Sequence, residues 1–383
     1  TLPEAPRMDV WDHVQSDSGN CMGRRCPRHD ECFYQQARRR MEHADILVCN
    51  HALFFSDLAL RTQNAGFLPR YDHVILDEAH TIEDVASEHF GRSLARSRVE
   101  HLLRVLYDPR RQKGFLATLR LADGDVEAVD RTVEAVLAAG RAADAFFEEL
   151  EACHAEHASD GGRIREPGVV DDLISEPMSR LAARLRGLRE RAAREADEFE
   201  LSSYAARAAD IATDARTLLE QKIEGCVYFV EVAAGRGTAA RRGRRPRVSL
   251  RCMAIDVAPI LREHLLGAGG GVVLTSATLA TGSGEAAFRH AAARLGAETA
   301  ETMQLESPFD LARQMTLVVD PSLPDPSSPG FTAAIAPRIE QLVRETEGGA
   351  FVLFTSFAML QDLARRLRPR LESRGLPVLV QGE

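Results

Sequence analysis

The stretch "VILDEAH" occupies residues 74–80 and decides the predicted fold. Its three aliphatic residues predict a buried strand, and Asp77 and Glu78 follow them directly. Open α/β sheets present their ligand-binding groups at the carboxyl ends of such strands. One carboxylate there can hold Mg²⁺ on nucleotide phosphates, and a second can polarise the attacking water. An acidic pair that merely caps a helix is the alternative interpretation.

A second apolar run, "VVLTSATLA" at residues 272–280, places Ser276 and Thr278 in the equivalent position at the end of a strand. Hydroxyl groups there can form hydrogen bonds with the carboxylates of Asp77 and Glu78, or with His80. A Ser and a Thr that cap a following helix are the alternative. The two stretches together favour a nucleotide-dependent site over two unrelated caps.

The stretch "CMGRRCPRHDEC" at residues 21–32 concentrates cysteines in a chain that otherwise uses few. Seven cysteines in 383 residues are too few, and odd in number, for a disulfide framework. A metal site is the better interpretation. Zinc can be held by Cys21, Cys26, His29 and Cys32, or the three cysteines can supply three of the four ligands of an iron–sulfur cluster.

Composition limits the class of protein. A chain of 383 residues with 45% apolar residues predicts about two or three folded domains. No uninterrupted apolar stretch reaches the length of a membrane span, and the first residues lack the pattern of a signal peptide, so we expect a cytoplasmic protein. A net charge of −9 argues against a chain that coats nucleic acid, although a local basic groove remains compatible with it. The start at Thr1 and the end at "VLVQGE" suggest a fragment.

The pattern of apolar residues changes several times along the chain. Residues 44–58 predict a buried strand that leads into a short helix, and Cys49 is expected in the core. Nearly everything from about 95 to 220 has the 3.6-residue period of helices. Strands are predicted again at 225–233 and 248–255, and the Pro- and Ser-rich residues 320–330 precede a further strand and helix.

The DEAH and SAT strings together resemble those of superfamily 2 helicases. The stretches "NHALFFSDL" and "LDEAHTIEDVA" resemble the DinG branch of the DinG/XPD-type iron–sulfur helicases. The resemblance implies an α/β fold, with a RecA-like parallel-sheet motor domain interrupted by an iron–sulfur domain and a helical Arch insertion, then the start of a second RecA-like domain. The implied divisions are a partial iron–sulfur domain at 1–43, the first motor domain at 44–94 and 225–312, the Arch at 95–224, and the second motor domain at 313–383.

The resemblance also implies roles for individual residues. Asp77 is expected to hold Mg²⁺, Glu78 to activate water, and His80, Ser276 and Thr278 to couple ATP hydrolysis to motion. Contacts with DNA are implied for Arg24, Arg25, Arg28, Thr355 and Ser356. Cys21, Cys26 and Cys32 correspond to the last three ligands of a 4Fe-4S cluster, whose fourth ligand is expected upstream of this chain, with zinc as the alternative metal.

The implied activity is ATP-dependent, five-prime to three-prime movement along single-stranded DNA, with unwinding of duplexes in DNA repair or replication. The implied cofactors are ATP, Mg²⁺ and the cluster. The implied partners are single-stranded and forked DNA and a single-stranded-DNA-binding protein, with a monomeric helicase and no membrane. The arginine-rich loop at 236–247 is a further candidate phosphate contact, and a solvated loop is its alternative.

Two departures from the family pattern are visible. A P-loop requires G-x-x-x-x-G-K-[ST], but Lys113 precedes Gly and Lys222 precedes Ile, and the chain has no other lysine. The family's second-domain arginine motifs are expected beyond Glu383. Two other classes therefore stay open: a nucleic-acid-binding or redox-sensing module without motor activity, and a zinc-stabilised scaffold.

Overall fold

A computed structural model describes residues 21–62, 65–233 and 245–382. The chain divides into two compact units, Thr1–Gln304 and Leu305–Glu383. Most of the arginine-rich loop predicted at 236–247, and residues 1–20 of the predicted iron–sulfur domain, lie outside the described residues.

Helices dominate the described part of the chain. The α-helices are α1 Phe33–Glu42, α2 His51–Arg61, α3 Ile82–His89, α4 Arg96–Leu106, α5 Phe115–Thr118, α6 Val126–Glu156, α7 Ser175–Arg189, α8 Glu195–Leu219, α9 Ala258–Leu261, α10 Arg289–Leu295, α11 Leu311–Gln314, α12 Phe331–Glu345 and α13 Phe357–Glu372. Shorter 3-10 turns occur at Gly23–Arg25, Ala79–Thr81, Ala158–Asp160 and Glu285–Phe288, and a π-helix at Arg262–Leu266. The strands are β1 His73–Leu76, β2 Arg92–Ala95, β3 Arg163–Ile164, β4 Cys226–Ala233, β5 Arg247–Ala254 and β6 Gly271–Leu274.

β1 and β6 pair in parallel, although they lie far apart in the chain. The register aligns Ile75 with Val273 and Leu76 with Leu274. At Gly270 a Cβ atom would lie 2.4 Å from the carbonyl oxygen of Asp72, so only glycine allows the chain to enter β6 this close to β1. The pairing confirms the predicted α/β class with parallel strands.

The parallel pair packs on one apolar core. α2 begins where the Asn50 side chain accepts a hydrogen bond from the Leu53 backbone N–H at 2.9 Å, as a typical N-cap does. Its buried face meets β1, α3, α9 and the π-helix. The buried residues of this core are Phe54, Phe55, Leu58, Leu76, Ala79, Ile82, Ala86, Val257, Leu261, Leu265 and Leu295.

The buried carboxylate of Asp57 holds the segment that leads into β1. Asp57 is fully buried, and it accepts hydrogen bonds from the backbone N–H groups of Phe67 at 2.6 Å and Leu68 at 2.8 Å. The Nε of Arg61 donates to the other carboxylate oxygen at 2.5 Å, and the same guanidinium lies 4.9 Å from the ring centre of Tyr71. Because both carboxylate oxygens of Asp57 accept hydrogen bonds, the burial of this residue is compatible with a stable core.

A second core lies between the long helices and an antiparallel sheet with strand order β2-β5-β4-β3. Alternate residues of β4 and β5, including Val230 and Leu250, join it with side chains of α4, α6, α7 and α8. The core therefore runs from Leu94 to Cys252, beyond the 95–224 range of the predicted helical insertion. Burial raises the pKa of the Cys226 thiol on β4 to about 11, so this thiol stays protonated at neutral pH.

The buried core of the second unit is formed by two of its helices and the residues packed against them. α12 and α13 bury a small apolar core that includes Ile339 and Leu363. α13 begins where the Ser356 hydroxyl accepts a hydrogen bond from the Met359 backbone N–H at 3.2 Å. The Pro- and Ser-rich residues 320–330 precede α12, as the sequence analysis predicts.

Two predicted strands are wrong. Residues 44–50 include no strand; Ile46 is 82% and Val48 96% exposed, and Cys49 is exposed rather than part of the core. Residues 351–354 likewise form no strand, and Phe351 is 97% exposed. An apolar run becomes a strand only where a neighbouring edge accepts its hydrogen bonds, and neither segment has such a partner among the described strands.

The helix α1 was not predicted, since its residues lack an apolar period. Its composition is polar and arginine-rich, and none of its residues is buried. A helix that buries no face leaves no hydrophobic pattern for sequence analysis to detect.

Of the helices described here, none is both long and apolar enough to cross a membrane.

Candidate active site

The ends of β1 and β6 continue to contact each other beyond the last paired residues. The Thr275 backbone N–H donates to the carbonyl of Leu76 at 2.9 Å, and the Ala79 backbone N–H donates to the carbonyl of Thr275 at 2.9 Å. These two bonds hold the segment after β1 against the segment after β6. Side chains that follow the two strands are therefore brought to one edge of the sheet.

Asp77 is the first side chain at this edge. Its Oδ1 accepts hydrogen bonds from the hydroxyl of Thr275 at 2.8 Å and from the Glu78 backbone N–H at 2.9 Å. These two donors hold the pKa of the Asp77 carboxyl below its ordinary value, and the nearby His51 ring lowers it further. The carboxylate is exposed and ionised at neutral pH.

Glu78 adopts a strained backbone conformation. Its φ of 50° and ψ of 43° lie in the left-handed region, which costs a non-glycine residue roughly 1–2 kcal/mol. Its carbonyl accepts hydrogen bonds from both the backbone N–H and the hydroxyl of Thr81, each at 3.0 Å. Strain of this kind concentrates at functional sites, and here it accompanies an exposed carboxylate that lies 3.3 Å from Nδ1 of His80.

His80 joins the two sequence motifs directly. Its Nδ1 lies 2.8 Å from the hydroxyl of Ser276. The same hydroxyl accepts a hydrogen bond from the Thr278 backbone N–H at 3.3 Å, and it lies 3.4 Å from the Thr278 hydroxyl. The structure thus brings together five residues singled out from the sequence, which are Asp77, Glu78, His80, Ser276 and Thr278.

Two further polar side chains contribute to this edge, although they are not among the residues predicted from the sequence. Thr275 precedes the SAT string and contacts Asp77, and its position after an apolar strand was the available signal. His51 lies at the start of α2, and its Nδ1 lies 3.2 Å from the hydroxyl of Thr81. No local pattern relates His51 to the DEAH string, since 30 residues separate it from Thr81.

The arrangement fits a magnesium ion that arrives with a nucleotide. Mg²⁺ is usually bound through one or two carboxylates together with substrate phosphates and water. Asp77 supplies one ionised, exposed carboxylate. In the described part of the chain no hydrogen bond reaches its Oδ2, which leaves that oxygen available to a cation.

The three predicted cluster ligands lie in the segment that contains the 3-10 turn Gly23–Arg25 and leads into α1. Cys21 is exposed and accepts a hydrogen bond from the Gln35 side chain at 3.4 Å, Cys26 follows the 3-10 turn Gly23–Arg25, and Cys32 precedes α1. Within residues 21–62, 65–233 and 245–382, no three His, Cys, Asp or Glu side chains are close enough together to hold a metal ion.

The residues predicted to contact DNA lie on exposed surfaces. Arg24 is exposed. Arg25 lies 3.5 Å from a carboxylate oxygen of Glu195, and Arg28 forms an ion pair with Glu31 at 2.9 Å. In the second unit, Thr355 and Ser356 are exposed beside the start of α13, where Ser356 also serves as the cap.

Comparisons with known proteins agree with these motifs. The family model described as DEAD_2 matches residues 20–99. The ATP-dependent DNA helicase YoaA of Escherichia coli K12 is 28% identical over 383 residues, which cover 98% of this chain and 54% of that protein. The 3'-5' exonuclease DinG of Bacillus subtilis is 23% identical, covering 100% of this chain and 43% of that protein. The ATP-dependent DNA helicase DinG of Photobacterium profundum is 24% identical, with 100% and 56% covered.

The similarity to these relatives extends over almost the whole chain rather than over the DEAH string alone. The chain spans about half the length of the curated relatives it matches. It is similar over its length to ATP-dependent DNA helicases of the YoaA and DinG type.

Proposed function

We propose that this chain carries the DEAH- and SAT-bearing part of a DNA-dependent ATPase that moves along single-stranded DNA and unwinds duplexes. The proposal includes a RecA-like first motor domain, an Arch formed by the helical core, and the start of a second motor domain. It also includes five-prime to three-prime movement and a role in DNA repair or replication. These finer assignments rest on the family resemblance.

One observation carries the proposal. Two hydrogen bonds link the segments after β1 and β6 through side chains, Thr275 to Asp77 at 2.8 Å and Ser276 to His80 at 2.8 Å. A pair of helix caps would not need contacts between residues almost 200 positions apart. Such contacts are required where nucleotide hydrolysis at one segment changes the conformation of another segment.

The geometry supports the chemistry that we assign to each residue. Magnesium-bound ATP, when present, supplies the reacting phosphoryl group together with part of the charge neutralisation. Asp77 stays ionised and keeps one oxygen available. Glu78 is exposed and can accept a proton from water. His80 contacts both Glu78 and Ser276, so a change at Glu78 can be passed to the segment after β6.

An unwinding assay tests the proposal. The complete natural protein that carries this chain is mixed with ATP, Mg²⁺ and duplexes that bear a single-stranded tail at either the 5' or the 3' end. We expect displacement of the strand from 5'-tailed duplexes and little from 3'-tailed ones. Displacement from 3'-tailed duplexes alone would refute the direction, and no displacement from either would refute the helicase activity.

The isolated 383-residue chain is expected to hydrolyse ATP no faster than a buffer blank. Catalysis of phosphoryl transfer is almost entirely positioning and electrostatic stabilisation. The chain has no P-loop lysine to position the phosphates, because neither Lys113 nor Lys222 lies in a G-x-x-x-x-G-K-[ST] string. Phosphate release measured with single-stranded DNA present provides the check, and stimulated hydrolysis would contradict the expectation.

We also propose that Cys21, Cys26 and Cys32 hold an iron–sulfur cluster together with a ligand from outside this chain. Their spacing supports the proposal. Because metal binding and local folding are coupled, separated ligands do not exclude a site. Zinc is the alternative. The His29 Nδ1 lies 3.2 Å from Asp30, and a histidine that ligates zinc through its other nitrogen commonly has such a carboxylate partner.

The colour and metal content of the complete natural protein distinguish the two metals. We expect a brown protein after anaerobic purification, with iron and acid-labile sulfide, and loss of colour in Cys26→Ser. Unwinding by Cys26→Ser should fall more than its ATP hydrolysis, since the contacts described for Asp77 and Glu78 involve no cysteine. A colourless protein with one zinc per chain, or normal unwinding by Cys26→Ser, would contradict the iron–sulfur assignment.

A further inference from the structure

We infer that Thr275 is a positioning residue that orients the Asp77 carboxylate toward a divalent cation. The inference rests on the proposed function, because it assumes that Asp77 meets the cation of a bound nucleotide. It adds a residue and a division of roles that the DEAH and SAT strings alone do not assign.

The hydrogen bonds to the Asp77 carboxylate are concentrated on one of its two oxygens. The Thr275 hydroxyl and the Glu78 backbone N–H both donate to Oδ1 of Asp77, at 2.8 and 2.9 Å. Two donors on one oxygen restrict rotation of the carboxylate. They also leave Oδ2 as the oxygen that meets a cation.

The donor residue, Thr275, has a backbone that is fixed in place. The Thr275 backbone is held on both sides, with its N–H bound to the Leu76 carbonyl and its own carbonyl bound to the Ala79 N–H, each at 2.9 Å. A β-branched side chain on a fixed backbone has few rotamers available. The Thr275 hydroxyl is therefore directed at Asp77 before any ligand binds.

The neighbouring residue, Ser276, has a different hydrogen-bond partner from Thr275. Ser276 directs its hydroxyl at His80 rather than at Asp77, at 2.8 Å. Two adjacent hydroxyls thus support two different members of the DEAH string. Loss of Thr275 should weaken the cation site, and loss of Ser276 should leave the cation site intact while it disturbs His80.

Loss of the Thr275 hydroxyl should lower the affinity of the protein for the divalent cation. Removing a hydrogen-bond partner of a metal-ligating group typically weakens metal binding by about 10- to 100-fold. Thr275→Val keeps the β-branched shape and removes the hydroxyl. We expect the dissociation constant for the cation to rise about tenfold or more in Thr275→Val, and to return close to wild type in Thr275→Ser.

The test uses the complete natural protein with Mn²⁺ as the probe and a non-hydrolysable ATP analogue in excess. The electron paramagnetic resonance signal of free Mn²⁺ gives the dissociation constant without reliance on turnover. Binding of the analogue in EDTA, without a divalent cation, should be the same for wild type and Thr275→Val. A purely structural defect would weaken both measurements, and Thr275→Ala serves as a second hydroxyl-free variant if Thr275→Val folds poorly.

The outcomes separate this inference from the proposed function. If Asp77→Asn does not weaken Mn²⁺ binding, the assumed cation site, and with it the proposed function, fails. If Asp77→Asn weakens binding but the hydroxyl-free variants match wild type, only the inference about Thr275 fails. The inference is supported when Thr275→Val loses affinity, Thr275→Ser keeps it, and Ser276→Ala keeps it.

Discussion

Replacing Glu78 by Gln is expected to lower ATP hydrolysis by the complete natural protein about 10²- to 10⁴-fold, the usual contribution of a general base. Glutamine has nearly the same shape but cannot accept a proton from water at neutral pH. Binding of ATP should change little, since the backbone N–H of residue 78 still donates to Asp77. Unwinding should be lost with hydrolysis.

Steady-state phosphate release and fluorescent-nucleotide binding measure these two properties separately. Glu301→Gln is the matched control, because it makes the same change at an exposed position outside the sheet edge. Hydrolysis should be normal in that variant. Undiminished hydrolysis by Glu78→Gln would show that another group acts as the base.

The largest expected effect on stability is in the helical core. Phe146 on α6 is fully buried, and its ring lies 5.2 Å from that of Phe147 in an edge-to-face arrangement. Truncation of a buried phenylalanine to alanine costs about 3–5 kcal/mol, because transfer energy is lost and a cavity remains. Phe146→Ala should therefore unfold the helical core at a clearly lower urea concentration than wild type.

Phe33→Ala provides the control for that experiment. Phe33 is 87% exposed at the start of α1, so the same substitution should change the free energy of unfolding by less than about 0.5 kcal/mol. Circular dichroism at the helical minimum follows both variants during urea titration. Equal effects of the two substitutions would contradict the described core.

The sequence was most informative where its patterns were strong and local. The run before Asp77 and the run before Ser276 both predicted strands, and β1 and β6 confirm them. The 3.6-residue period of α6, α7 and α8 was equally clear, because long helices that bury one face repeat their apolar residues at that spacing.

Other features depended on contacts that a local pattern cannot contain. Residues 44–50 are apolar enough for a strand, yet Val48 is exposed because strand formation requires a partner edge. The strands β4 and β5 were predicted, but their packing on the helices was not. The hydrogen bond from Thr275 to Asp77 links residues almost 200 positions apart, and only the pairing of β1 with β6 creates it.

The cysteine stretch shows a different limit. Its spacing indicates metal chemistry, whereas the positions of Cys21, Cys26 and Cys32 follow from local turns around the 3-10 segment and α1. Ligand spacing in a sequence records which residues can meet around an ion. It does not determine their distances without that ion, because the ion contributes to the folding free energy.

Phosphate release from ATP by the complete natural protein, with and without single-stranded DNA, tests whether the β1–β6 edge is the nucleotide site. We expect Mg²⁺-dependent hydrolysis that single-stranded DNA stimulates and that Asp77→Asn abolishes. Hydrolysis that is absent under all these conditions, or that persists unchanged in Asp77→Asn, would contradict the assignment of the β1–β6 edge as the nucleotide site.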